Sequence, residues 1–344
     1  MYVLLIISQS NLSRLLVYSF TKKNIMNWYT PVETPAAEAF LSPRSHVMLL
    51  GSCFADNMGA RFAQSLPEGH VSANPFGVLY NPESIAAALE LLLSETARAD
   101  GALFRGRDGL WHSWRHAGLF SAPTEDACRE SVNTALAEAR RVLRKADLLC
   151  VTFGTSRLFR LRETGMAVAN CHKELASDFD EEDLSSEQIV RRWQPLLAEL
   201  RQLRPTLRIA FTVSPYRYAK WGFHESRLQK ARLLLAIDAL CRQMPEAATY
   251  FPAYEIVEDE LRDYRFYAPD LIHLAPQTEE YIWQRVQRWG FSPQLSEYAA
   301  DKARLLRLTA HRPLHADAAS QASLNERKAK MEKEFEDKWR DLFI

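Results

Sequence analysis

The feature that most constrains this chain is a rhythm. Short apolar runs, "HVMLLGS" at 46–52, "DLLCVTFG" at 147–154, "LRIAFTVS" at 207–214 and "ATYFPA" at 248–253, are separated by long stretches with apolar residues every three or four positions. Runs of that length without alternation suit strands buried on both faces, and the 3.6-residue period suits covering helices. "DNMGARFAQSL", "PESIAAALELLLSE", "EDACRESVNTALAEARRVLRKA", "SEQIVRRWQPLLAELRQL" and "HESRLQKARLLLAIDALCRQM" are the predicted helices. Alternation of the two predicts an α/β chain, a three-layer α/β/α sandwich around a mostly parallel sheet. Such a sheet gathers its functional loops at the carboxyl ends of its strands.

Composition narrows the partners. In 344 residues, 43 basic and 43 acidic side chains cancel, so no global field recruits nucleic acid and no charge excess predicts disorder. The five cysteines are scattered without a CxxC, which argues against a disulfide framework or zinc site and fits a reducing, cytoplasmic setting. "MYVLLIISQSNLSRLLVYSF" lacks a basic flank and a cleavage site, and its polar residues interrupt it too early for a membrane span. Residues 1–28 are read as an N-terminal extension, either an over-extended translation start before Met26 or an amphipathic segment. Residues 29–293 form the expected domain. Residues 294–344 form a helical extension in which Leu324, Met331, Phe335, Trp339 and Phe343 make a sparse stripe among charges, expected to pack on the body.

Chemistry-bearing residues collect after the apolar runs. Gly51, Ser52 and Cys53 follow the first, leading into a helical segment, the arrangement by which several enzymes expose a nucleophile. "NPFG" at 74–77 forces a turn whose backbone N–H groups are candidate ligand contacts. "FGTSR" follows the second run, with Gly154, Ser156 and Arg157. "YAPDLIHLAPQ" places Asp270 three residues before His273, a spacing at which the carboxylate can hold Nδ1 and leave Nε2 to accept a proton.

These stretches together resemble the GSCFA family, placed in the SGNH or GDSL-like hydrolase superfamily. "GSCFA" at 51–55 is its naming motif, and "NPFGVLYNP", "FGTSR", "ANCHKE", "TVSPYR" and "DLIH" follow in the family's order, from about Tyr29 to about Pro293. The resemblance implies a flavodoxin-like three-layer fold and four blocks: a nucleophile turn, a glycine loop at Gly77, a third turn at "GTSR", and the pair Asp270 and His273. Two departures stand out. Block register puts Cys53 on the nucleophilic position, and Ser156 stands where an oxyanion-hole asparagine is expected.

Cysteine is the better nucleophile, and a helix N-terminus favours its thiolate, so Cys53 is preferred over Ser52, which then shapes the turn. Backbone N–H groups of the nucleophile turn and of Gly77 are candidate oxyanion donors, with Ser156, Asn74 or Asn170 in place of the missing amide. Arg157, His172 and Arg217 are candidate substrate contacts. No metal or organic cofactor is expected, since Cys171 with His172, and His112 with His116, have no further ligands at useful spacing. The reading is an esterase that removes a small acyl group, such as acetyl, from a carbohydrate or other small molecule. The alternatives are an O-acyltransferase using the same residues, and a ligand-binding module without catalysis.

Overall fold

The computed structural model describes residues 29–310 and 318–342. The expected N-terminal extension and Phe343 lie outside the described residues. The first strand, β1 (His46–Gly51), leads through Ser52 into α1 (Cys53–Ser65), followed by β2 (Val71–Ala73) and α2 (Pro82–Leu93). A hairpin, β3 (Leu103–Arg105) and β4 (Trp111–Ser113), precedes α3 (Glu125–Leu143) and β5 (Ala146–Phe153). A small antiparallel sheet then intervenes: β6 (Arg157–Leu161), β7 (Ala167–Val168) and β8 (Phe179–Asp183). The central pattern resumes with α4 (Ser186–Leu203), β9 (Arg208–Val213), α5 (Phe223–Gln243) and β10 (Ala248–Tyr250), and α6 (Pro276–Gly290), α7 (Pro293–Ala310) and α8 (Ala318–Trp339) close the chain.

The central sheet runs β10-β9-β5-β1-β2 with every neighbouring pair parallel. Alternation along the strands divides the core in two. Met48 and Leu50, Leu149 and Val151, and Ile209 and Phe211 face α2, α3, α4 and α5, where Leu89, Leu136, Trp193 and Leu233 meet them. Val47, Leu49, Leu148 and Ala210 face the other way, onto Phe54 and Phe62 of α1, Trp283 of α6 and Leu295 of α7. The three-layer α/β/α sandwich is therefore observed. Each fully buried Leu or Phe contributes about 1.5–3 kcal/mol, so both layers bind the sheet firmly.

Local signals place the helices. Asn81 caps α2, its Oδ1 accepting from the Ser84 N–H at 2.8 Å, with Pro82 in the first turn. Ser185 and Gln188 form a capping box on α4. The small sheet escaped the periodicity reading because charge holds it. Its β8 is "FDEED", and Arg157, Arg160 and Arg162 of β6 and its end pair with Asp183, Glu182 and Asp180.

At the C-terminal end, α8 folds back along α7. Lys328 Nζ donates to the Thr309 carbonyl at 3.0 Å, and Lys338 reaches Asp301 at 2.7 Å. Trp339 is buried with its indole edge-on to Tyr298, and Leu324 is buried too, while Met331 and Phe335 are partly covered. Beyond α8, the Asp341 carbonyl accepts from Arg44 at 2.5 Å. Among the described residues no helix is long and apolar enough to cross a membrane. The five cysteines are free thiols.

Candidate active site

The turn after β1 is built around a position that tolerates no side chain. Gly51 has φ +144°, and a Cβ there would lie 2.2 Å from the Thr152 carbonyl of β5. Its N–H donates to Asn74 Oδ1 at 2.8 Å, and its carbonyl accepts from Leu79 at 2.9 Å. Ser52 follows in extended conformation as the N-cap of α1. It is 2% exposed, and its hydroxyl accepts from the Phe54 N–H at 3.3 Å. Cys53 is the first helical residue, half-buried, with Sγ 3.3 Å from the Tyr80 hydroxyl. Ser52 thus turns its oxygen onto its own helix, while the Cys53 sulfur faces the loops in the field of the helix N-terminus.

The next loop supplies Asn74, Gly77 and Tyr80. Asn74 (φ 43°) directs its amide nitrogen to Asp56 Oδ1 at 2.6 Å and toward the Ser52 carbonyl at 3.4 Å. Burial raises the Asp56 carboxyl, and the Asn74 bond partly restores it. Gly77 (φ 75°) packs so closely that a Cβ would meet that of Ala117 at 2.3 Å, and its N–H already donates to the Asn74 carbonyl at 2.7 Å. Tyr80 is held from behind, its carbonyl accepting from both Gly154 (2.8 Å) and Thr155 (3.0 Å). A Cβ on Gly154 would approach that carbonyl to 3.0 Å, which explains the glycine after β5. Burial, then the bond to Cys53, push the Tyr80 phenol above its ordinary value, and its ring stands edge-on to Tyr218.

The Ser156 hydroxyl is fully buried without a hydrogen-bond partner, and Arg157 is committed to Asp183 at 2.5 Å, with its guanidinium 4.8 Å from the Trp221 ring.

Asp270 and His273 lie on the loop before α6. Asp270 Oδ1 accepts from the backbone N–H groups of Ile272 (2.9 Å) and His273 (3.0 Å), and Oδ2 lies 2.6 Å from His273 Nδ1. The His273 bond first, then those two N–H groups, hold the carboxyl down to about 2. An ionised carboxylate only accepts, so Nδ1 carries the proton of the neutral imidazole and Nε2 carries the lone pair. Arg217 braces the turn: its side chain donates to the Leu271 carbonyl at 3.0 Å and its N–H to the Ile272 carbonyl at 3.2 Å. Leu271 itself has φ 56°. The His273 ring stands edge-on to Tyr216 at 5.0 Å. Tyr216 packs edge-on to Phe54, the residue after Cys53, and its hydroxyl donates to Glu279 at 2.9 Å.

Asn170 and His172 belong to a different contact set. Asn170 Oδ1 accepts from the His172 N–H at 2.7 Å, and His172 Nε2 donates to the Ser113 carbonyl at 2.9 Å beneath the β3–β4 hairpin. There His112 lies 4.6 Å from His172, and burial draws the neighbouring His116 down to about 3. Burial raises Cys171 and Cys241 to about 11 and Cys150 to about 12, leaving them protonated packing thiols.

Two residues near the strand ends were not singled out for a role from the sequence. Tyr80 lies inside "NPFGVLYNP", three positions past the glycine turn. Lys230 of α5 is 3% exposed and donates to the carbonyls of Gly154 and Ser214, both at 2.7 Å, just past the ends of β5 and β9. A lysine three residues before Leu233 and seven before Ile237, on the helix's apolar stripe, was the available signal.

A crystal structure of a carbohydrate esterase family 3 from Talaromyces cellulolyticus is similar at 10% identity and TM-score 0.32, over 75% of this chain and 99% of that chain. A likeness of that degree carries no argument about chemistry. No curated protein matches the chain. The GSCFA family model matches residues 46–286, from the start of β1 into α6. Spanning the Gly51–Cys53 turn, the loops at Gly77 and Gly154 and the Asp270–His273 pair, that match means the chain belongs to the GSCFA family.

Proposed function

We propose that this protein hydrolyses ester bonds, removing a small acyl group such as acetyl from a carbohydrate, with Cys53 as nucleophile, His273 as general base and Asp270 as its orienter. The observation that carries this reading is the 2.6 Å bond from His273 Nδ1 to an ionised Asp270, which leaves Nε2 as a proton acceptor one aromatic ring away from the residue after Cys53. Ser52 is the second choice, because it is 2% exposed and its oxygen accepts from the Phe54 N–H at the N-cap of α1.

In the first half of the reaction His273 takes the thiol proton, the sulfur forms a bond to the ester carbonyl carbon, and the carbonyl electron pair moves to oxygen. Collapse breaks the C–O bond, and the imidazolium returns its proton to the departing alcohol. Water, deprotonated by His273, then attacks the thioester, the C–S bond breaks to release the carboxylic acid, and the imidazolium returns its proton to the Cys53 sulfur. The carbohydrate assignment draws on the aromatic surface beside the site, where Tyr218 and Trp221 stack at 5.9 Å with Lys220 over Trp221.

The test is turnover of acetylated sugars by the purified full chain, with and without an acceptor sugar. Cys53→Ala and His273→Ala are each expected to lose about 10²–10⁴-fold in kcat/KM, and Ser52→Ala to remain active. Acyl transfer to the acceptor in place of release would move the reading to an acyltransferase. Loss in Ser52→Ala with retention in Cys53→Ala would make the serine the nucleophile, retention in all three would refute the nucleophilic mechanism, and no turnover by the unsubstituted protein would leave only ligand binding.

A further inference from the structure

We infer that the Tyr80 hydroxyl is a catalytic residue, the side-chain donor that stabilises the oxyanion formed when Cys53 attacks an acyl group. The inference rests on the reading of Cys53 as nucleophile and names a residue that reading did not assign.

The donors of Asn74, Gly77, Gly154, Thr155 and Ser156 already have a partner or are sealed away. The Asn74 amide nitrogen bonds to Asp56 and faces the Ser52 carbonyl, and the Gly77 N–H bonds to the Asn74 carbonyl. The Gly154 and Thr155 N–H groups both end on the Tyr80 carbonyl. The Ser156 hydroxyl is wholly buried. The Cys53 N–H, an orphan donor of the helix N-terminus, stands beside Sγ, and the Tyr80 hydroxyl is the side-chain group in contact with it, at 3.3 Å. An oxyanion sits on the same carbon as the newly bonded sulfur, so a donor already touching the sulfur is one bond angle from it.

The surroundings suit a donor that must not move or ionise. Two N–H groups and the close face of Gly154 fix the Tyr80 backbone, and Tyr218 walls its ring. Burial and the neighbouring thiol favour the neutral phenol, which keeps its O–H to donate. In this arrangement the "FGTSR" loop contributes indirectly. Its N–H groups position the tyrosine that takes the place of the missing asparagine amide.

Acylation creates an oxyanion, whereas alkylation of the same sulfur by iodoacetamide does not. Tyr80→Phe in the full chain is therefore followed in two reactions: single-turnover acetylation by p-nitrophenyl acetate, read as nitrophenolate release with the acetyl group mapped to Cys53, and iodoacetamide alkylation of Cys53. The expected result is acetylation about 100-fold slower, with alkylation within about 3-fold of the unsubstituted protein. Unimpaired alkylation also shows the variant to be folded at the site. Acetylation within about 3-fold of the unsubstituted rate overturns the inference while Cys53 keeps its role. Acetylation and alkylation slowing in parallel also overturns it, because the phenol then serves only the thiolate. If the unsubstituted protein is not acetylated on Cys53, the nucleophile reading itself falls and the inference falls with it.

Discussion

Replacing Lys230 by methionine should convert a buried charge problem into a pH-dependent difference in stability. The ammonium donates to the Gly154 and Ser214 carbonyls at 2.7 Å, and burial pulls it from 10.5 down to about 7 against the upward pull of Glu258. A fall of that size corresponds to at most about 5 kcal/mol in favour of the neutral amine. Between pH 7 and 10.5 the unfolded chain holds a proton that the folded chain has released, so this group makes folding more favourable as pH rises through that window. Below pH 7 both states hold the proton, and the cost is constant. Lys230→Met keeps the apolar stem but leaves two buried carbonyls unpaired, at about 1–3 kcal/mol each. The two proteins should therefore differ by only a few kcal/mol at pH 7, with the lysine form gaining on the variant by about 1.4 kcal/mol for each pH unit above it. Urea unfolding of both proteins from pH 6 to pH 10 measures this, and every other titrating group cancels in the difference. A difference that stays flat across the series would mean that the amine keeps its proton in the fold, and the reasoning would fail.

Two further outcomes follow from the site. Gly51→Ala forces a Cβ against the Thr152 carbonyl at a left-handed backbone angle, and should cost about 3 kcal/mol or more; a melting temperature unchanged in the full chain would refute the close approach of β1 and β5. Asp270→Asn removes the acceptor that fixes the proton on His273 Nδ1, and should lower kcat about 10²-fold or more with the fold intact, read from ester turnover and a melting curve; undiminished turnover would remove Asp270 from the mechanism.

The central strands were legible because burial on both faces writes a continuous apolar run. The runs at 46–52, 147–154 and 207–214 match β1, β5 and β9 to within a residue or so. The small sheet was not legible, since Arg–carboxylate pairing leaves no hydrophobic period to read, and β2 is three half-buried residues, "VSA". At the site, residue types and their clustering could be read, but hydrogen-bond assignments could not. Asn74, Gly77 and Gly154 resemble ligand contacts as text, yet the Gly77 N–H closes its own turn on the Asn74 carbonyl, and Asn74 and Gly154 bond to residues distant in sequence that only the fold brings near. The preference for Cys53 over Ser52 rests on motif register and thiol chemistry that the text carries, whereas the capping of α1 by Ser52 is visible only in the fold.

The link between Arg44 and the Asp341 carbonyl fixes the far end of α8 beside the entry to β1, whereas Cys53 lies past its exit. Six residues of strand, about 20 Å, separate the two points along the sheet. A linker attached beyond Asp341 would therefore leave from the side opposite the sulfur. Anchored to a solid support by that linker, the protein would present Cys53 and His273 outward, so capture on a sensor surface or bead is compatible with access by bulky polymeric esters.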